Sequence, residues 1–348
     1  MLISMDADTD AADALPPKMA VVVGDWRKLT WAHALIERAW KRGKFEPNWI
    51  LGHDDSVYCV QHDGTRIVSG SRDRTVRVWD ARTHKPIRTL RVHDGSVLCL
   101  QYDATGSNLI TGSSDTSLAV WNLQRGSLKR RLRGHTDAVL DVRLVDEGGL
   151  AASCSKDRSI RIWRLDKGDI VATMEGHSGV VNAISVSAPH LASASVDHTL
   201  KLWDLATASA LRDFTGHEAS LFCVHMTPDG HTILSGSRDC SVRVWDVRSG
   251  FNSGDCVRTL LGHENLVRTL AMDHVRGRCV SGSYDKSIKV WDLGMGKVVV
   301  DVQKAHPAWV YQVQVDATKI VSAGQEGKVV VWDFSGGVGD EHVDPTQA

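Results

Sequence analysis

Serine, histidine and an acid recur together along this 348-residue chain in an order that could build a nucleophile, its base and the carboxylate that orients the base. A hydroxyl activated in this way performs acyl transfer. The set, however, occurs seven times. His53, His93, His135, His177, His217, His263 and His306 each stand 26 or 28 residues before a tryptophan: Trp79, Trp121, Trp163, Trp203, Trp245, Trp291 and Trp332. A Ser or Thr lies ten residues before each of these tryptophans (Ser69, Thr111, Ser153, Ser193, Ser235, Ser281, Ser322), and an acid lies six before (Asp73, Asp115, Asp157, Asp197, Asp239, Asp285, Glu326). Catalysis needs one activated nucleophile in one cleft, whereas a structural device is expected to repeat. The reading is therefore a buried network in which the indole and the hydroxyl meet one imidazole nitrogen and the acid meets the other. The chain also lacks H-E-x-x-H, Walker and G-x-S-x-G sequences, and we read it as non-enzymatic, with no cofactor and no metal.

The elements that must position these residues follow from the tract around each tryptophan. Ser69–Asp80 reads SGSRDRTVRVWD, and its variants recur with tryptophans 40 to 46 residues apart. Small residues ending in Ser make one strand, a polar pair led by the acid makes a tight turn, and β-branched residues make the next strand. A period of this size signals a propeller or a solenoid. Tracts such as Ile87–Leu90 and Val257–Leu260, before the next histidine, read as a further strand of each unit. No such strand follows Trp332, so Asn48–Leu51 is expected to supply the outer strand of the last unit and close the ring.

With those residues in view, the chain resembles the WD-repeat family. That resemblance implies an all-β fold, a seven-bladed WD-repeat β-propeller over residues 45–335, with four strands per blade around a central channel. Departures are few. Val92 and Ala305 replace the Gly before His93 and His306, Asn122 and Arg164 replace the Asp after Trp, and Glu326 is expected to loosen its turn.

Composition excludes little else. A formal net charge of −1 gives no general attraction to nucleic acid or membrane, and we expect neither as a partner. Seven cysteines without a C-x-x-C pair, three of them (Cys59, Cys99, Cys223) six residues after a repeat histidine, read as small buried hydrophobes in a reducing, cytoplasmic or nuclear compartment. Residues 1–24 read as a disordered leader and 336–348 as a disordered tail. Residues 25–44 read as a helix capped by Asp25, with Leu29, Ala32, Ile36, Ala39 and Trp40 near one face. The helix either packs on the propeller or docks another domain. Arg248–Cys256, longer than its equivalents, reads as an ornamental loop.

Function must then come from a surface. The turn holding each His and the turn holding each acid share one face of the ring. Residues three and five after each His, and the one before each acid, should crowd that face. These positions hold four cations (Arg72, Lys156, Arg238, Arg268), no acid and five aromatics (Tyr58, Phe222, Tyr284, Trp309, Tyr311). Arginine forks pair with phosphate and aromatics pack apolar residues, so the face is set up for an anionic peptide.

A narrower resemblance adds to this. Asp54–Asp63, Ile67–Asp80, Gly95–Asp103, Thr111–Asp115, Cys154–Ile160 and Ser281–Asp292 are similar to the F-box/WD-repeat proteins of the β-transducin-repeat-containing type, and Asp25–Phe45 is similar to their linker helix. The resemblance implies a substrate-recognition subunit of a cullin-type SCF ubiquitin ligase that binds phosphorylated protein substrates. It assigns Tyr58, Arg72, Ser96, Ser114, Asn182, Arg268 and Tyr284 to the peptide. Ala219 and Trp309, with Gln312 nearby, stand where that type places further arginines, and Lys156 and Arg238 are read as compensating. The F-box itself is missing from residues 1–24, so adaptor and cullin contacts are expected only with an F-box upstream. The alternative is a general WD-repeat scaffold for a signalling, transport or RNA-processing complex.

Overall fold

Each repeat folds because its turn is locked from both sides. In the computed structural model, which describes residues 33–103, 105–146, 149–248 and 256–335, the first blade contains β2 (Val57–His62), β3 (Arg66–Ser71), β4 (Thr75–Asp80) and β5 (Pro86–Arg91). They form one antiparallel sheet in that order, from the channel outward. Between β3 and β4, Arg74 takes a left-handed conformation (φ 68°). That conformation costs a non-glycine residue about 1–2 kcal/mol. Thr75 offsets the cost by donating to Asp73 Oδ1 through its hydroxyl at 2.6 Å and its backbone N–H at 2.9 Å. Thr116, Arg158, His198, Cys240 and Lys286 repeat the left-handed residue, and Gly327 takes its place in the last blade.

Seven such four-stranded sheets form the ring. The closing blade is completed by β1 (Glu46–Ile50), which pairs antiparallel with Val329–Asp333, Asn48 opposite Val331. The strand begins two residues earlier and ends one residue earlier than the sequence pattern implied, because Pro47 and Asn48 are already extended opposite Trp332 and Val331. The central strands are buried almost throughout, as in β3, and the outermost are exposed, as in β5. Hydrophobic clusters lie mostly between neighbouring blades, so each repeat buries its face only against the next.

Polar side chains stitch the seams. Gln61 Oε1 accepts from Tyr102 N–H at 2.8 Å, Asp141 Oδ2 from Ile184 N–H at 3.1 Å, Ser185 Oγ from Met226 N–H at 2.9 Å and Gln312 Oε1 from Val60 N–H at 2.8 Å. At the rim, Arg88, Arg130 and Arg258 donate to carbonyls in the turn of the following blade, Arg130 to Asp166 at 2.9 Å. Val300 takes the equivalent place in blade six, where the helix α1 (residues 33–42) packs instead. Ile36, Ala39 and Trp40 are buried there with Val290, Val300 and Phe334. Trp40 stacks on Phe334 at 3.8 Å and donates from Nε1 to the Ala317 carbonyl at 3.1 Å. Glu37 pairs with Arg276 and Arg278. The described helix thus packs on the propeller, against the face opposite the His and acid turns. Asp25, Leu29, Ala32 and most of Arg248–Cys256 lie outside the described residues, as do residues 1–24 and 336–348.

Candidate functional site

The seven histidine networks form as their spacing required, and they are structural. In blade one, Trp79 Nε1 donates to Ser69 Oγ at 2.8 Å, His53 Nε2 meets the same hydroxyl at 2.8 Å, and His53 Nδ1 meets Asp73 at 2.8 Å. Blades three and five reproduce the imidazole–carboxylate contact at 2.7 and 2.6 Å. Every serine or threonine hydroxyl of the set is fully buried between ring and indole, where no substrate carbonyl can approach it. Burial alone would raise the Asp157 carboxyl, but hydrogen bonds from Ser159 and His135 bring it down to about 2. In the last blade the expected loosening does not break the contact: Glu326 still meets His306 Nδ1. The longer acid uses space that Gly324 leaves open, and its second oxygen is buried without a partner.

These turns carry the candidate site. In each blade the residue before the acid donates its N–H to the carbonyl of the residue three after the histidine, Arg72 to Ser56 at 2.9 Å and Tyr284 to Leu266 at 3.0 Å. The two predicted positions are therefore clamped side by side. The third is set by a β-bulge. Pairing of β2 with β3 skips from Val57 to Cys59, leaving Tyr58 unpaired, and the same skip falls on Leu98, Leu140, Asn182, Phe222, Arg268 and Tyr311. A bulge turns its extra residue out of the ladder. All seven line one narrow cavity of about 50 Å³, the throat of the channel on this face.

Chemistry is concentrated on blades six, seven and one. Tyr284 stacks on Trp309 at 4.5 Å, Tyr58 lies 4.8 Å from Tyr311, and Tyr311 closes the group edge-on to Tyr284 at 6.0 Å. Burial pushes the Tyr311 phenol up to about 12 and raises that of Tyr58, and the charges of Arg72 and Arg268 act on both in the opposite direction. The two arginines thus flank one aromatic array. Arg268 is half-buried and donates from Nη1 to the Phe222 carbonyl at 3.4 Å. Among the described residues no carboxylate ion-pairs with it. Arg72 is exposed and lies 3.7 Å from Asp55, a surface pair worth about 0–1 kcal/mol.

The remaining predicted residues are placed differently. Lys156 and Arg238 are exposed on the turns of blades three and five. Ser114 Oγ accepts from Ser96 N–H at 2.8 Å, one turn tied to its neighbour. Asn182 donates to the Leu221 carbonyl at 2.7 Å, so its amide serves a seam. Gln312 also serves a seam, its Oε1 accepting from Val60 N–H. Trp309 is 40% exposed, on the rim of the array. Sequence reasoning left Asp55, which sits two residues after the repeat histidine, outside the positions it counted. It also missed Asp141, which lines the throat, pairs with Arg143 at 3.2 Å and has its carboxyl raised by burial.

Among the described residues no group of three or more His, Cys, Asp or Glu could hold a metal ion, and no helix is long and apolar enough to cross a membrane.

Comparison with known proteins agrees with this geometry. The model of the WD domain, G-beta repeat, matches residues 45–80, 84–122, 126–164, 168–204, 208–246 and 254–292. F-box/WD repeat-containing protein 7 of Drosophila melanogaster is 41% identical over 23% of this chain and 6% of its own length. Nuclear distribution protein nudF 1 of Talaromyces marneffei is 40% identical over 22% of the chain and 16% of its own length. Nuclear distribution protein PAC1 of Gibberella zeae is 39% identical over 22% and 18%. The chain thus covers less than a fifth of the length of each of these relatives.

Proposed function

The chain belongs to the WD-repeat family, and on that premise we propose that the face of its His and acid turns binds a phosphorylated segment of a protein substrate. The observation that carries this reading is Arg268, half-buried in the throat beside Tyr58 and Tyr311; the Asp141 carboxylate that shares the throat feels its charge but ion-pairs with Arg143. A cation held in a partly desolvated site gains most from an anion that arrives with the ligand, and a guanidinium offers phosphate two parallel donors. Arg72 supplies a second fork, because its surface pair with Asp55 is cheap to exchange. Tyr284, Trp309 and Tyr58 give the apolar residues of the peptide flat surfaces to pack on. Lys156, Arg238, Ser96 and Ser114 would contact more distant parts of the segment on the same face. The biological setting we favour is substrate recognition for a cullin-type SCF ubiquitin ligase, in the cytoplasm or nucleus. Adaptor and cullin are partners only where an F-box accompanies this propeller. Support comes from the tracts similar to F-box/WD-repeat proteins and from the relative of that name.

A second reading has an observation of its own. The nuclear distribution proteins match at nearly the same identity and coverage as the F-box/WD repeat relative, which supports a general WD-repeat scaffold equally well; that reading predicts partners recognised without phosphate. Paired arrays of phosphorylated and unphosphorylated peptides distinguish the two. The phosphopeptide reading requires phosphate-dependent spots that disappear in Arg72→Glu/Arg268→Glu. Binding that ignores both phosphate and the substitutions refutes it and leaves the scaffold.

A further inference from the structure

Eight residues after each repeat histidine, the inner strand presents a side chain at the end of the channel opposite the peptide face. Gln61, Gln101, Arg143, Ser185 and Gln314 hold this place in five blades, and each bonds to backbone of the adjacent inner strand. His225 holds it in blade five and, among the described residues, its ring bonds to no backbone group. Its Nε2 instead meets Nε2 of His274, on a turn of blade six, at 3.2 Å. The ring centroids are 5.1 Å apart with the planes 20° from parallel, so the two Nε2 atoms approach more closely than the ring centres. Two imidazoles on one tetrahedral ion, each at about 2.0–2.1 Å, place their nitrogens about 3.3 Å apart.

We propose that His225 and His274 form a two-imidazole chelate for a divalent late first-row ion such as nickel(II) or zinc(II), clamping blades five and six at the mouth of the channel away from the peptide face. Imidazole suits these ions, and their remaining positions take water or a small ligand. A cavity of about 460 Å³, lined by both histidines, Arg143 and Ser185, provides the room. A neutral imidazole whose proton sits on Nδ1 presents a lone pair on Nε2, the atom that each ring directs at the other. The surrounding charges permit a cation. Arg143 faces His225 but is paired with Asp141 at 3.2 Å, and the carboxylates of Asp273 and Asp229 act on His274. The alternative use of the pair is a lone N–H···N hydrogen bond across the seam.

The test is calorimetric titration of the full chain, free of any histidine tag and in non-chelating buffer, with nickel(II) and then zinc(II), followed by thermal unfolding with and without the ion. Wild-type protein should bind one ion saturably and unfold at higher temperature when it is present. His274→Ala, on an exposed turn, should lose both effects. His198→Asn, an exposed histidine on the opposite face, should keep them. Absence of saturable binding in the wild type, or binding and stabilisation unchanged in His274→Ala, overturns the proposal.

Discussion

Replacing Gly324 with serine should damage the last blade, although serine is what the other six blades carry. Ser71, Ser113, Ser155, Ser195, Ser237 and Ser283 stand two residues before their aspartates and are fully buried. In blade one, Asp73 donates its N–H to Ser71 Oγ at 3.1 Å. Blade seven has Glu326, one methylene longer, and a Cβ on Gly324 would lie 2.6 Å from Glu326 Oε2 and against His306 Nδ1. Overpacking of this kind costs about 1–3 kcal/mol, and an acid forced off the imidazole leaves a buried donor worth a similar amount, so Gly324→Ser should lose about 2–6 kcal/mol. Glu326→Asp in the Gly324→Ser background restores the pair that six blades already use. In urea titrations of the two single variants and the double variant, the double should be more stable than the sum of the singles predicts, by about 1 kcal/mol or more. If Gly324→Ser is neutral, or the two changes add to within about 0.5 kcal/mol, the steric account of blade seven is wrong.

Three further outcomes follow from the same structure. Truncating Trp40 to alanine removes the stacked contact with Phe334 and the bond to Ala317, and should cost about 3–5 kcal/mol. Hydrogen exchange should show the loss confined first to blades six and seven. In acid, two losses of stability should appear in urea midpoints against pH. His135, His225 and His274 titrate below 6.5 when folded, so the unfolded chain binds more protons as pH falls from 6.5 and stability declines. Asp73, Asp115, Asp157, Asp197, Asp239 and Asp285 titrate below 3.8, so the same sign gives a steeper loss beneath that value; stability rising between pH 6 and 3 would contradict it. Finally, a thiol reagent should modify only Cys240 and Cys256 in the native protein and all seven cysteines in urea, because the other five are buried. Rapid native labelling of Cys59 or Cys279 would show that the blades open.

The blade, the ring and its closure were legible because they are written in residue types at fixed spacing. His53, Ser69, Asp73 and Trp79 announce their network, and the strand-like tract at Asn48–Leu51, ahead of the first repeat histidine, announces the strand that pairs with Val329–Asp333. The face of the site was legible for the same reason, since its positions are counted from His and acid. What the counting could not give was orientation within the ring. The bulge at Tyr58 leaves no mark of its own, because tyrosine, leucine, asparagine, phenylalanine and arginine all occupy it in different blades. Nor does spacing say that Asn182 spends its amide on Leu221, or that Gln312 spends its own on Val60, because those bonds depend on which strands lie side by side. Arg72 and Arg268 flank one array because closure makes blade one the neighbour of blade seven, beside blade six, while Lys156 stands on blade three and Arg238 on the turn of blade five.

The most direct test of the central claim is the phosphate dependence of affinity, measured by calorimetry for one array-selected peptide in its phosphorylated and unphosphorylated forms. Wild type and Arg268→Gln are compared at one salt concentration. The account predicts that wild type favours the phosphorylated form by about tenfold or more, equal to about 1.4 kcal/mol, and that Arg268→Gln removes most of the preference while binding the unphosphorylated form much as before. A preference that survives intact in Arg268→Gln, or one that wild type never shows, contradicts it.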